Sequence, residues 1–145
     1  MANVIAIGLT LFWGLYFTLA GSSNLIDALR HFGLLREAMK FDSENYTRLM
    51  KVVSRFKRSP GITKLLFVWL LTWELTAAGI FWLTSFLLWA TGSFQLVDAS
   101  YAVGMSFFAS LTIGNELFLF YESEEEHVTL LVALLLSLVA IHLLP

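Results

Sequence analysis

The chain has no cysteine, and no lysine or arginine before position 30 or after position 64. The first absence excludes disulfides, thiolate metal sites, iron–sulfur clusters and covalently attached c-type haem, and several classes of redox enzyme with them. The second concerns placement: all nine basic residues, Arg30, Arg36, Lys40, Arg48, Lys51, Arg55, Lys57, Arg58 and Lys64, fall in one stretch between two long apolar runs. A soluble domain scatters its cations, whereas cytoplasmic loops of membrane proteins collect them. Charge of either sign is scarce. Only 14% of the 145 residues are charged and 58% are hydrophobic, with a mean hydropathy of +0.76, which excludes a soluble domain of this size and points to lipid. The opening residues lack the positively charged leader of a secretory signal, so that segment is expected to stay as a span. No Ser-His-Asp set, phosphate-binding glycine loop or paired-carboxylate hydrolase motif is present, and the chain is expected to have no intrinsic catalytic activity.

What is present reads as membrane helix. A span needs about 20 mostly apolar residues, and four segments meet that, at approximately 2–26, 61–92, 96–121 and 124–144. The expected fold is all-α: a single integral membrane domain over 1–145, built as a four-transmembrane-helix bundle with an amphipathic cytoplasmic loop helix between helices 1 and 2. Ser59 can cap the second span, with Pro60 as its first helical residue, where a missing N–H costs nothing. Ser123 and Glu126 have the spacing of a capping box, and Glu124 to Glu126 sit where the positive end of a helix dipole favours carboxylates. The first loop, 27–64, carries nine basic and four acidic residues, a formal +5, and the third, 122–126, carries four carboxylates, −4. Short connections put both loops on one face, where at least one ion pair between them is expected. The basic block makes that face cytoplasmic, which places both termini on the other side of what is expected to be a bacterial inner membrane.

Within the first loop Tyr46, Leu49, Met50, Val53 and Phe56 recur at helical spacing, while Arg48, Lys51, Arg55 and Arg58 take up much of the remaining surface. Asp42 or Ser43 can cap such a helix. Two placements fit it: on the cytoplasmic interface with the apolar stripe in the acyl boundary and the cations toward anionic lipid, or as a connector packed on the helix ends. A nucleic-acid site is not implied, because topology alone requires cations here.

Glu74 lies ten residues after Lys64, roughly 15 Å along a helix and near the bilayer midplane. An ionisable residue at that depth is a functional hypothesis by default, here a proton or quinone-headgroup site; the alternative is a buried hydrogen-bonding carboxyl that fixes packing. Its neighbours Ala77, Ala78 and Ser85 are small, as at a helix–helix contact. Glu116 is a second candidate, close enough to the cytoplasmic end to share a pocket with Glu74. Asp27 and His31, spaced i, i+4, are the weak metal-ligand pair, with a salt bridge or cap as the other reading. No two histidines match in depth for a bis-His haem. Ala102, Ser106, Ser110 and Gly114 form a small-xxx-small ladder that lets another helix approach closely, whether from this chain or another subunit. Trp13, Tyr16, Trp69, Trp73, Trp82 and Trp89 outnumber what two interface belts require.

Asn24 and Asp27 after the first span, Trp73, Glu74, Thr76 and Ala77 in the second, and Gly114, Glu116, Phe118 and Ser123 at the end of the third together resemble a bacterial family of predicted small four-helix integral membrane proteins of unknown function. The chain departs from that pattern between Phe41 and Pro60 and at Glu124 to His127. The small-residue first span followed by a Glu in the second also resembles the quinone-linked four-helix family typified by the small thiosulfate:quinone oxidoreductase subunit. Two functions follow as expectations. One is a non-catalytic accessory subunit of a membrane complex, respiratory or otherwise energy-transducing, with lipids and other membrane subunits as partners and no nucleic acid. The other is a small proton-handling or quinone-binding protein that uses Glu74 and Glu116, with quinone or lipid as the compatible cofactor class.

Overall fold

The computed structural model describes residues 2–35, 41, 43–56, 59–118 and 124–143. Among these the fold is all-α, with five helices: α1 (Ala2–His31), α2 (Asn45–Arg55), α3 (Pro60–Thr91), α4 (Val97–Phe118) and α5 (Glu124–Leu143). Three of them, over Val4–His31, Pro60–Thr91 and Glu124–Leu143, are long and apolar enough to cross a membrane. Four spans were expected. The third forms a helix of 22 residues, but Asp98, Ser100, Ser106, Ser110, Thr112, Asn115 and Glu116 dilute its apolar character below that of its neighbours. The second runs one residue from its expected bounds, with Pro60 at its start.

Chain contacts divide the molecule into two compact units whose boundaries fall inside α1 and α3: Phe17–Leu75, and Met1–Tyr16 with Thr76–Pro145. In the second of these, α4 and α5 pack side by side and are pinned at both ends. Asn115 Nδ2 lies 3.1 Å from His127 Nδ1 at one end, and His142 Nε2 lies 2.7 Å from Asp98 Oδ1 at the other. Those pairings make the two helices antiparallel. The core of this unit takes Trp13, Phe81, Leu88, Tyr101, Phe108 and Leu134, all essentially without solvent contact. Phe81 and Tyr101 meet edge to face with centroids 5.1 Å apart, a geometry that aligns the positive edge of one ring with the negative face of the other. The polar side chains of this unit join helices: Trp13 Nε1 donates to Ser137 Oγ at 3.2 Å, and Ser85 Oγ lies 2.9 Å from Thr10 Oγ1. Gly92, at φ +67°, ends α3 in the left-handed conformation that glycine adopts without strain. Trp13 is thus core, whereas Trp69, Trp82 and Trp89 are exposed.

In the Phe17–Leu75 unit α1 closes with a Schellman turn. Gly33 at φ +77° donates to Arg30 O at 3.0 Å, and Leu34 donates back to Leu29 O at 2.9 Å, so the last carbonyls of α1 are used. The chain then returns through α2 into α3. Ala28, Tyr46, Phe67 and Leu71 form the core, with Phe32 and Leu49 packed against it. Tyr46 is the wedge: its ring stands edge-on to both Phe67 and Phe32, at 5.3 and 5.9 Å. Gly21 marks the closest approach of α1 to α3, where an added Cβ would come within 3.0 Å of Leu75 Cδ2. Tyr46, Val52 and Val53 of the loop helix turn inward, while Met50 and Phe56 of its apolar stripe stay exposed.

Tyr101 is fully buried, and its hydroxyl is the one side-chain polar atom of the described residues that is buried without a hydrogen-bond partner. A hydroxyl that loses water and gains nothing is destabilising. Tyr101→Phe is therefore expected to leave stability unchanged or raise it by up to about 1 kcal/mol, read as thermal unfolding in detergent. A loss of about that size would instead mean that the hydroxyl is engaged.

Candidate functional site

Five polar side chains from α1, α2, α3 and the segment before α2 converge in the Phe17–Leu75 unit. Asn24 and Asp27, three residues apart, lie on one face of α1, and both are buried. Asn24 Nδ2 points at α3 and donates to both carboxylate oxygens of Glu74, at 2.9 and 2.7 Å. Its Oδ1 faces the other way and accepts from Ser43 Oγ at 2.7 Å and from Asn45 Nδ2 at 2.9 Å. The orientation of this amide is set by its neighbours, since the carboxylate accepts and the hydroxyl donates.

Asp27, with no exposed surface, is the other node. Its Oδ2 accepts from the backbone N–H of Tyr46 at 2.7 Å and stands 3.2 Å from Ser43 Oγ; its Oδ1 lies 3.3 Å from Arg30 Nη2 and 3.0 Å from His31 Nδ1. The bond to Tyr46 N is a helix cap supplied from another element. Glu44, the residue at the N-cap position of α2, sits at φ 58° and gives no side-chain cap, and the carboxylate of α1 takes over that duty at the positive end of the helix dipole. Of the two caps expected, Asp42 lies outside the described residues. Ser43 is present, but its hydroxyl is 3.3 Å from Asn45 N while serving Asn24 more closely. Burial, and then the nearby charge of Asp27, raise the Tyr46 phenol above its ordinary value, so that ring stays neutral in the core.

The expected site residues fall in both units. Glu74 is buried and in the network; Glu116, on α4, is exposed and its buried neighbour is Asn115. Asp27 and His31 do meet, with Nδ1 3.0 Å from Oδ1, Arg30 on the same oxygen, and His31 Nε2 reaching Thr47 Oγ1 at 3.1 Å. Among the described residues no three His, Asp or Glu side chains gather as metal ligands do. Arg48, Lys51 and Arg55 are exposed on α2; Arg58 lies outside the described residues, as do Glu122 and Ser123 with its capping box. Among the described residues Arg30 pairs with Asp27, and His31 and His142 lie within ion-pair distance of Asp27 and Asp98. The pairing expected between the basic first loop and Glu124 to Glu126 would join residues of different units. Ala102 and Ser106 are exposed, Ser110 and Gly114 half-buried, and an added Cβ at Gly114 would meet no atom within 4 Å.

Sequence reasoning singled out Glu74, Asp27 and Asn24 separately and missed that Ser43 and Asn45 join them. It also missed the Asn115–His127 pair. The Asn24–Asp27 spacing was the available signal, since i, i+3 residues share a helix face.

Chemically, the network offers the Asn24 amide to Glu74, and one backbone N–H, from Tyr46, with Arg30, His31 and the Ser43 hydroxyl nearby, to Asp27. Removing Asn24 would strip Glu74, Ser43 and Asn45 of a partner at once. Asn24→Ala is expected to cost about 1–3 kcal/mol, whereas Glu74→Gln keeps the shape and one acceptor oxygen and should cost less than about 1 kcal/mol. Thermal or denaturant unfolding of both variants in detergent decides, and equal losses would contradict the assignment of Asn24 as the shared node.

The family model described as Predicted small integral membrane protein (DUF2165) matches residues 2–144. No curated protein and no solved structure matches the chain.

Proposed function

The chain belongs to the family of predicted small integral membrane proteins, and from that premise we propose that it is a non-catalytic accessory subunit of a larger membrane assembly, engaged through α4. The observation that carries this reading is the outward placement of the small-residue ladder. Ala102 and Ser106 are exposed, and the space beside Gly114 is open. Residues of this size let a second backbone approach closely, and against lipid they gain little. A ladder left open by its own chain is suited to a helix of another subunit. The buried carboxylates support the same reading, because Glu74 and Asp27 spend their acceptor oxygens on groups of this chain.

On this reading α4 is the fourth span. Its 22 residues extend about 33 Å, enough for a hydrocarbon core of about 30 Å, and its pairing with α5 at both ends keeps it beside a helix that is itself a candidate span. Four spans put the basic 30–64 stretch and the start of α5 on the cytoplasmic face of a bacterial inner membrane, with both termini on the other side. A reporter that works only in the cytoplasm, fused after α5, is then expected to be silent; a strong signal would reverse the topology.

A second reading, proton handling at Glu74, rests on the close spacing of polar groups from buried Glu74 through Asn24 and Ser43 toward Asp27 and His31, in which the single Ser43 hydroxyl proton can serve Asn24 or Asp27 but not both at once. Under it Glu74→Gln would abolish a membrane activity while the protein still accumulates.

The subunit reading is tested by size. In mild detergent the protein is expected to run far above the 16.4 kDa of one chain and in company with other polypeptides. Ser106→Leu with Gly114→Leu should release it from them with its helical content intact. A wild-type particle containing no other polypeptide would end this reading.

A further inference from the structure

Asn24 joins Glu74 to the start of α2, and its amide presents donors to one side and an acceptor to the other. Nδ2 faces both Glu74 oxygens, at 2.9 and 2.7 Å, while Oδ1 faces Ser43 Oγ at 2.7 Å and Asn45 Nδ2 at 2.9 Å. Glu74 is buried, and among the described residues it takes part in no ion pair. A lone carboxylate held out of water is costly, and taking up a proton removes that cost. Asn24 as it stands suits the charged form, since it turns only hydrogens toward the carboxylate and would offer a Glu74 hydroxyl no acceptor.

An amide can answer that by turning over, because its oxygen and nitrogen ends are nearly alike in shape. No helix has to move. After the turn Asn24 Oδ1 accepts from the Glu74 hydroxyl, and Nδ2 donates to Ser43 Oγ and to the oxygen of an Asn45 amide turned in the same sense. Ser43 Oγ, which stands 3.3 Å from the Asn45 backbone N–H, has room for both donors, since a hydroxyl accepts twice and donates once. Its own hydrogen is then released from Asn24 and points to Asp27 Oδ2, 3.2 Å away. We propose that Glu74, Asn24 and Ser43 form a proton-driven hydrogen-bond switch, in which the charge of Glu74 decides whether the Ser43 hydroxyl serves Asn24 or the Asp27 carboxylate that caps α2. Protonation thus moves one hydrogen bond from the contact between α1 and α3 to the contact between α1 and the start of α2, and α2 is held more firmly in the acid form. The inference deepens the proton-handling reading and rests on its premise that Glu74 changes charge, but it needs no proton to travel further. The other charged or titratable groups on the network are Asp27, Arg30 and His31 of α1 and Tyr46 of α2, whose backbone N–H the Asp27 carboxylate holds.

The test follows the isotope-labelled full chain in lipid nanodiscs through a pH series by NMR. The Glu74 carboxyl carbon reports its charge, the Asn24 side-chain amide reports the turn, and the Tyr46 backbone amide reports the cap. In the wild type all three are expected to shift with one midpoint, so the result does not hang on how any variant folds. Protection of the Tyr46 amide from hydrogen exchange, corrected for the intrinsic pH dependence of exchange, should be several-fold greater on the acid side. Glu74→Gln, which has no charge to lose, should flatten the Asn24 and Tyr46 responses over that range. Ser43→Ala should leave Asn24 following Glu74 while Tyr46 no longer does, a split that a merely structural bond would not give. If Glu74 keeps one charge state wherever the chain stays folded, the proton-handling reading fails and the switch fails with it. If Glu74 titrates while Asn24 or Tyr46 stays still or moves at another midpoint, the switch alone fails. A Tyr46 response that persists at the same midpoint in Glu74→Gln belongs to Asp27 or His31, and it too overturns the proposal.

Discussion

Eleven residues are too few to hold a helix in water, where isolated helices shorter than about 12–15 residues are marginal, and α2 is that length. It persists because Asp27 reaches across from α1 to the Tyr46 amide, and because the Tyr46 ring then fills the space between Phe32 and Phe67. Cap and wedge are adjacent atoms of one residue. The carboxylate fixes where α2 starts, the ring fixes which side faces inward, and the direction of Arg48, Lys51 and Arg55 follows from both. Arg30 and His31, drawn to the same carboxylate, offset the cost of burying it.

Membrane helices gain little from burying leucine against leucine, since lipid tails are equally apolar, and their specific contacts come from close packing and hydrogen bonds. This chain uses both. At Gly21 the missing side chain lets α3 approach α1. Asn24 then bridges the same two helices with an amide that satisfies both Glu74 oxygens. Elsewhere Trp13 with Ser137, Ser85 with Thr10, and Asn115 with His127 serve the same end. These polar residues of the spans are thus fasteners between helices.

What the sequence made legible was whatever has a one-dimensional signature. Pro60, the apolar runs and the block of nine cations mark helix starts, spans and a loop without knowledge of packing. The 46–56 periodicity located α2, but not which way it would face, because lipid and protein core reward an apolar stripe equally. Asp27 was visible as a charged residue at a helix end, yet its role as a cap depends on a chain reversal of some 19 residues, to Tyr46, that no spacing rule contains. Ser43 and Asn45 carried no signal, since loops are full of such residues and only the fold gives these two a partner in Asn24. Of the polar residues of α4, sequence reasoning weighed Glu116 as a candidate carboxylate and passed over Asp98 and Asn115; the structure makes those two the pins between α4 and α5, while Glu116 stays at the surface.

That distribution bears on how a chain this small can have a role. Only 11% of the most apolar stretch of α5 is buried, with Leu134 and Ile141 as its buried residues, so most of that helix faces outward. Lipid alone accounts for the exposed Leu135, Leu136 and Val139. It does not account for Ser106 and the open space at Gly114 on α4, which give lipid a poorer surface than leucine would. On the proposed subunit reading, an outward face that mixes bulky apolar residues on one helix with small and polar ones on the next has two different neighbours to satisfy. Acyl chains suit the first, and a backbone at close range suits the second.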